Sequence, residues 1–421
     1  MSLVSETFDG ILTEIRQNGE IFQDEIIRRM EPAFVAEGFR ASRGTQPSRI
    51  LIVRLDEIGD CVLTSPFLRE LRRAYPQAQI DFVVKSGAYP LMELCPYVDH
   101  VRIAEGVPAS GSSISTFLSW IRSFCEMLWH QQYDLCLVPH WDIDDTYTVL
   151  LSYFCGAQER VGFDEHCHPI KATQERGMNK FLTRPVMTPF HVVHEVEKNL
   201  ALLKAGLGIQ SKSDHLELWI AQGDMEVAKA RLQAGGITTP YIAVAVGTGA
   251  ERKTYPPELL ARALMGIQAG LPFVLLGGPG EKKEGETVAA ALRLAHFPVL
   301  DLVGAMPLRQ SAAIVAMAQL YMGGDTGLTH VAAAAKRSIV EWFCHPKNAP
   351  VSVLSLLARF SPWQAHAAIL QPKRPMPGCE TMEAGFQEIA GCRSRDKAHC
   401  ICGIRPESIT AAAKRMLEVQ P

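Results

Sequence analysis

Residues Gly323 to Ala335 read GGDTGLTHVAAAA. Two glycines, an acid, a hydroxyl, a third glycine and a histidine stand directly before a run of alanines. The alanines predict a helix. The residues before it suit a helix start that holds an anion. Gly323 and Gly324 let the backbone turn tightly and let a ligand approach closely. Asp325 or Thr326 is a good N-cap. The N–H groups of Thr326, Gly327 and Leu328 then point outward, with the positive end of the helix dipole behind them. Phosphate is the usual guest at such a place. A capped helix with no ligand accounts for this one motif equally well.

Two further loops follow strand-like runs in the same half. GTGAERKTYPP (Gly247 to Pro257) places Arg252 and Lys253 at the mouth of the sheet, where a lysine can neutralise a diphosphate. GGPGEKKEG (Gly277 to Gly285) offers Glu281 to ribose hydroxyls. Each charge taken singly is also a solvated loop residue. In the first half, RLDEIGD puts Asp60 one residue after Gly59 at the start of a helix. It is either a cap or a base that takes a proton from an incoming hydroxyl. Asp56 and Glu57 crowd the same turn, and like charges raise at least one pKa there.

The elements that must carry these residues form two series. In the first, RILIVR is a strand, CVLTSPFLRELRRAYP a helix closed by Pro76, and IDFVV the next strand. This is a βαβ unit, so a parallel sheet is expected. Further strands are expected at HVRIA, YDLCLVPH and RVGF, and a helix at HEVEKNLALLKAGLG. The second series opens with YIAVAVGTG and continues through strands PFVLLGG, VLDLVG, LYMGGD and SIVEWFC, with helices between. Before both lies a stretch with Phe8, Ile11, Leu12, Ile15, Ile26, Ile27, Met30 and Phe34 at helical spacing, then the polar linker ASRGTQPS. In doubly wound sheets ligands bind at the carboxyl ends of strands. With two such halves, a cleft between them is the expected site.

Neither LDEIGDC nor VGTGAERK supplies the Gly-x-Gly-x-x-Gly of a dinucleotide fold, and no Gly-Lys-Ser/Thr loop is present. Hydride transfer and P-loop NTPase chemistry are therefore not expected. The chain has 421 residues, 47% hydrophobic and 21% charged, with a formal net charge of −3. That length suits two soluble globular domains, and that charge gives no basic field for nucleic acid. The start, MSLVSETFDG, lacks the basic region and apolar run of a secretory leader, and no apolar stretch is long enough to span a bilayer. The eleven cysteines are scattered, several in apolar runs such as YDLCLV. Reduced, buried thiols in a cytoplasmic protein are expected.

Taken together, ILIVRLDEIGDCVLTSPFLRELRRAYP, IAVAVGTGAERKTYP and DTGLTHVAAAA resemble glycosyltransferase family 9, the ADP-heptose:lipopolysaccharide heptosyltransferases. The resemblance runs from about Arg49 to the last helix. Tyr255 stands where the family usually has Trp. The resemblance implies an α/β GT-B fold: two Rossmann-like domains facing across a cleft. The expected pieces are a helical extension over 1–46, an acceptor-side domain over 47–220, an ADP-sugar domain over 221–400, and a final helix over 401–421 crossing back to the first domain. It implies that Lys253, Thr248, Thr326, Gly327 and Leu328 bind the donor diphosphate, that Asp325 and His330 shape that loop, and that Glu281 binds ribose. Asp60 is the implied general base, with Arg54 and Asp56 on the acceptor side. The oxygen that Asp60 activates attacks the anomeric carbon opposite ADP, so configuration inverts. Charge on the departing diphosphate is met by the helix start and Lys253. An ADP-sugar donor, a glycan or lipid-linked glycan acceptor and no required cofactor are expected. The location is cytoplasmic, with peripheral association at the inner membrane left open.

The first turn departs from relatives that carry a lysine and small hydroxyl residues there. Asp56 and Glu57 argue against the most usual phosphorylated acceptor. The Asp-x-Asp of WDIDDTY falls in the acceptor half and reads as a strand-end loop. Cys379, Cys392, Cys400 and Cys402 lie near the C-terminus beside His399. No metal is the expectation, and these four are the candidates if one is held. Three alternatives stay open: a protein O-heptosyltransferase with a cysteine-bound metal, a non-catalytic sugar-nucleotide-binding module on the same fold, and a sugar-nucleotide epimerase.

Overall fold

The computed structural model describes residues 2–18, 23–39, 46–109, 111–189, 191–347, 356–374 and 399–418. The chain divides into two compact units, 1–214 and 215–421.

The first unit holds a six-stranded parallel sheet. Its strands are β1 (Arg49–Arg54), β2 (Gln79–Lys85), β3 (His100–Ala104), β4 (Leu135–Val138), β5 (Glu159–Phe163) and β6 (Arg184–Val186), in the order β3-β2-β1-β4-β5-β6. All neighbours are parallel, with Ile50 opposite Ile80 on one side and Leu135 on the other. Runs such as ILIV and LCLV are apolar throughout because the central strands are buried on both faces.

The second unit repeats the plan with β7 (Ile242–Ala245), β8 (Phe273–Leu276), β9 (Val299–Asp301), β10 (Leu320–Gly324), β11 (Ser338–Trp342) and β12 (Ala367–Leu370), in the order β12-β11-β10-β7-β8-β9. Counted within each unit, both sheets have the order 3-2-1-4-5-6 of the dinucleotide-binding α/β fold. The order reverses between β1 and β4 and between β7 and β10. Those two switch points are where such sheets bind ligands.

One expectation needs adjustment. The helix expected over 61–76 is two helices, Ile58–Leu63 and Ser65–Ala74, meeting at Thr64 just before Pro66. The N-terminal helices Leu3–Asn18 and Gln23–Ala36 are part of the first unit. Val4, Phe8, Ile11, Met30 and Phe34 are buried in its core, and Phe8 stacks on Phe154 with ring centroids 4.0 Å apart. The last helix, Pro406–Glu418, packs within the second unit. Its apolar face, Ile409, Ala412, Ala413 and Met416, is buried with Tyr255, Leu260, Leu264 and Trp342. Tyr255 fixes the preceding turn by donating its hydroxyl to the Ile404 carbonyl at 2.6 Å. No helix among the described residues is long and apolar enough to cross a membrane.

Candidate functional site

The first switch point carries a buried cluster of charge. Strand β1 ends on Arg54, whose side chain is only 2% exposed. A guanidinium in that position needs acceptors on every edge. Its Nε lies 2.6 Å from Asp56 Oδ2, its Nη2 donates to Asp60 Oδ1 at 3.1 Å, and its Nη1 donates to Asn199 Oδ1 at 3.1 Å. Asn199 belongs to the helix Glu195–Leu207 and in turn donates to the Leu63 carbonyl. Asp60 sits in the first turn of Ile58–Leu63, which Glu57 precedes without a side-chain cap. Glu57 instead pairs with Lys85 at 3.0 Å.

His140, just beyond β4, reaches the other oxygen of Asp56, with Nδ1 2.7 Å from Oδ1. Burial alone would raise Asp56, but His140 and Arg54 outweigh it and hold the carboxyl well below its usual range. Asp60 goes the other way. Burial and the neighbouring Asp56 charge raise it to about 6, against the opposing pull of Arg54. The crowding of acids in RLDEIGD thus separates the two carboxyls in acidity. Asp60 remains mostly ionised near neutral pH while keeping real basicity, the combination a general base requires.

The Asp-x-Asp of the loop after β4 has structural partners. Asp144 accepts from Thr148 Oγ1 at 2.8 Å and Val149 N at 2.9 Å, and Asp142 lies 3.3 Å from His168 Nε2.

The second switch point joins three loops. Lys253, in the turn Glu251–Lys253 after β7, puts Nζ 2.6 Å from Asp325 Oδ2 in the turn after β10. Thr248 closes its own loop, with its hydroxyl 2.9 Å from the Ala250 carbonyl and 3.2 Å from Thr254 Oγ1. Glu281, after β8, accepts from Gly249 N at 3.0 Å and Gly278 N at 2.6 Å, which ties the β8 loop to the β7 loop. Two glycines make these approaches feasible. A Cβ on Gly247 would lie 2.4 Å from Glu281 Oε1, and one on Gly324 would lie 2.8 Å from Thr248 Cγ2.

The helix after β10 spans Gly327–Ala334, with Thr326 at the N-cap position. No side chain caps it, because Asp325 turns to Lys253. Leu328 follows in the same first turn. Thr329 binds the helix back to β10 through the Gly324 carbonyl at 2.7 Å, and His330 is buried.

Two residues of this site, Glu341 and His345, carried no sequence expectation, and Arg252 was placed at the sheet mouth without a role of its own. Arg252 has a buried Nη1 with no hydrogen-bond partner. Glu341, opposite Gly323 in the β10–β11 register, is fully buried with neither carboxyl oxygen bonded. Burial, then the Asp325 charge, raises its pKa well above the usual value. His345 is held down to about 4 by burial, then by Arg252 and Lys253.

Of the four candidate metal-binding cysteines, Cys379 and Cys392 lie outside the described residues. Cys400 and Cys402 share the short turn Cys400–Gly403, where Cys400 Sγ is 3.5 Å from His399 Nδ1. Among the described residues, no three His, Cys, Asp or Glu side chains are grouped to hold a metal ion.

The chain is similar to lipopolysaccharide heptosyltransferase 3 of Escherichia coli K12, 23% identical over 288 residues, 68% of this chain and 79% of that protein. It is 26% identical over 302 residues to lipopolysaccharide heptosyltransferase 1 of Salmonella typhimurium, covering 69% of this chain and 86% of the relative. Among solved structures, a family 9 glycosyltransferase from Veillonella parvula matches with TM-score 0.66 at 21% identity, over 88% of this chain and 97% of that one. The ADP-heptose lipopolysaccharide heptosyltransferase II of E. coli matches with TM-score 0.63 at 19% identity, over 88% and 98%. These likenesses show the GT-B fold. The family described as glycosyltransferase family 9 (heptosyltransferase) matches residues 121–355. That is more than half of the chain and takes in parts of both units, so the protein belongs to glycosyltransferase family 9 and is a glycosyltransferase.

Proposed function

We propose that this enzyme transfers a heptose from ADP-heptose to a hydroxyl of a lipopolysaccharide core or another surface glycan, with inversion at the anomeric carbon. The observation that carries the proposal is the family match over residues 121–355. Two relatives are named as lipopolysaccharide heptosyltransferases, which supports the sugar and the class of acceptor.

The residues at the two switch points supply a route. Asp60 takes the proton from the acceptor hydroxyl. The oxygen attacks the anomeric carbon, the bond to the diphosphate breaks, and ADP leaves with the electron pair. Lys253 and the N–H groups at Thr326, Gly327 and Leu328 stabilise the charge that develops on the diphosphate. Asp325 and His330 hold that turn in shape. Thr248 and Glu281 set the β7 loop, and the remaining lone pairs of Glu281 accept from ribose hydroxyls. Arg54 orients Asp60, and Asp56 lines the acceptor side. This route uses no metal. A cytoplasmic location beside the membrane where such glycans are assembled fits that acceptor.

The test combines the purified chain with ADP-heptose and lipopolysaccharide core acceptors truncated at successive sugars, and follows product mass. One acceptor gaining one heptose, with Asp60→Asn reducing the rate by about 10² or more, supports the proposal. ADP-heptose left intact with every acceptor, or a different nucleotide sugar consumed, overturns it.

A further inference from the structure

We propose that His140 is a positioning residue of the first-unit site: by holding one oxygen of Asp56, it lets Arg54 orient Asp60 as an anion. The inference rests on Asp60 being the base.

Geometry fixes the state of His140. Nδ1 lies 2.7 Å from Asp56 Oδ1 as an ion-pair contact outside hydrogen-bond alignment, and Nε2 is hydrogen-bonded to the Ile143 carbonyl at 2.9 Å. A carbonyl accepts only, so Nε2 carries a proton. Asp56 is ionised because Arg54 Nε lies 2.6 Å from its other oxygen. A bare Nδ1 lone pair would then face a carboxylate at hydrogen-bond distance, which is repulsive. Nδ1 therefore carries a proton too, and the ring is a cation.

That cation completes a balance. Arg54 and His140 are positive, and Asp56 and Asp60 are negative. All four side chains are buried or nearly so, with Asp60 the most open at 19% exposure. Without His140, one guanidinium would serve two carboxylates in a medium where like charges interact strongly. One carboxyl would then keep its proton. Asp56 is the nearer to Arg54, so Asp60 is the one that would keep it and cease to act as a base near neutral pH.

Other charged groups face the pair. Asp144, from the loop that carries His140, favours its charge, and Lys171, from the helix Pro169–Gln174, opposes it. Glu175, which ends that helix, offsets Lys171 at 3.4 Å. Glu195, from the helix Glu195–Leu207, adds to the charge near Asp60 and is itself held by Lys198 at 3.0 Å. Lys85, from β2, also favours the Asp56 charge but is held by Glu57 at 3.0 Å, which leaves His140 as the nearest cation that Asp56 does not share with Asp60. Burial opposes the charge on the ring, but Asp56 outweighs it and raises His140 to about 10.

The experiment needs neither donor nor acceptor. Histidine ring nitrogens and aspartate carboxyl carbons are isotopically labelled and followed by NMR as pH is varied. His140→Asn and Asp60→Asn assign the two signals. In the wild type, both His140 nitrogens are expected to stay protonated from about pH 6 to 8. In folded His140→Asn, the Asp60 midpoint is expected to rise by about one pH unit. A wild-type His140 that loses its proton near the ordinary value of about 6.5 overturns the proposal, and that measurement needs no variant to fold. An Asp60 midpoint unmoved in a folded His140→Asn also overturns it, since a purely structural histidine would leave that midpoint alone. Calorimetric titration of the same wild-type sample with ADP separates the two proposals. Failure to bind ADP counts against the heptosyl-transfer function and leaves the His140 result standing.

Discussion

Lys253 Nζ lies 2.6 Å from Asp325 Oδ2, so the cation proposed to meet a diphosphate is matched by an acid from the turn after β10. Its neighbour Arg252 has, among the described residues, a buried Nη1 with no hydrogen-bond partner. Arg252 is thus the second cation of the turn Glu251–Lys253, while Lys253 is held in place by Asp325. Replacing Lys253 with Met removes a charge-assisted contact and is expected to weaken ADP binding by roughly 10- to 100-fold. Arg252→Gln is expected to weaken it by a similar factor and to leave AMP nearly unaffected. Asp325→Asn removes a negative charge beside the diphosphate and is expected to tighten ADP by roughly threefold to tenfold. Calorimetry with ADP and AMP reads all three. Equal ADP affinity in all four proteins would remove the diphosphate from this turn.

The acidity of Asp60 predicts a pH profile. A base must be ionised, so turnover is expected to fall as pH drops through about 6. The stability effect has the opposite sense. A carboxyl raised in the fold binds its proton more tightly there than in the unfolded chain. That favours folding at low pH, and the advantage is lost as pH rises from about 4 towards 6. Asp60→Asn removes the ionisation, so it is expected to abolish turnover and to stabilise the fold at pH 7 by roughly 1–3 kcal/mol. A thermal melt of the variant that is lower than wild type at pH 7 would contradict the raised acidity.

Much of this was legible in the sequence because its main signals are local. The central strands announce themselves as unbroken apolar runs, Asp60 and Asp325 stand directly after glycines at strand-to-helix turns, and Lys253 lies four residues after Gly249. The two strands that escaped, β6 and β12, each form one edge of a sheet. Arg184–Val186 is three residues with Pro185 at its centre, and Ala367–Leu370 opens on two alanines. His140, Asn199 and Glu341 escaped for another reason. Their surroundings are remote in sequence and are delivered by sheet order, which no local spacing encodes. His140 left one trace, VPHWDIDD, a polar residue directly after a strand, as in the turn after β10.

The N-terminal helices are expected to be indispensable to the first unit. Phe8 is fully buried and stacked on Phe154. Asp9 adds an ion pair to Arg122 of the helix Ile114–Trp129. Phe8→Ala leaves a cavity and should cost about 3–5 kcal/mol. Removing residues 1–38 exposes Tyr153 and Phe154 and should yield aggregated protein, which size-exclusion chromatography would show. A truncated chain that stays monodisperse with an unchanged melt would mean that the helices only decorate the surface.

Glu341 presents the reverse case, a residue whose removal should help the fold. It is 0% exposed, and neither oxygen has a hydrogen-bond partner. Burial and Asp325 keep it protonated in the folded chain, while the unfolded chain releases the proton above its ordinary value of 4.5. By linkage, the cost to stability is absent below that pH and grows as pH rises above it. Glu341→Gln keeps the shape and cannot ionise in either state. It is expected to raise stability at pH 7 by about 1–3 kcal/mol and to change little at pH 4. Denaturant melts at the two pH values decide the matter. An equal gain at both would assign the effect to packing, and a loss at pH 7 would mean that Glu341 is ionised in the fold and paired. Because the carboxyl lies beneath the turn that carries Asp325, the same variant should be titrated with ADP. A gain in stability together with a loss of ADP affinity would show that the buried acid is retained for binding and not for folding.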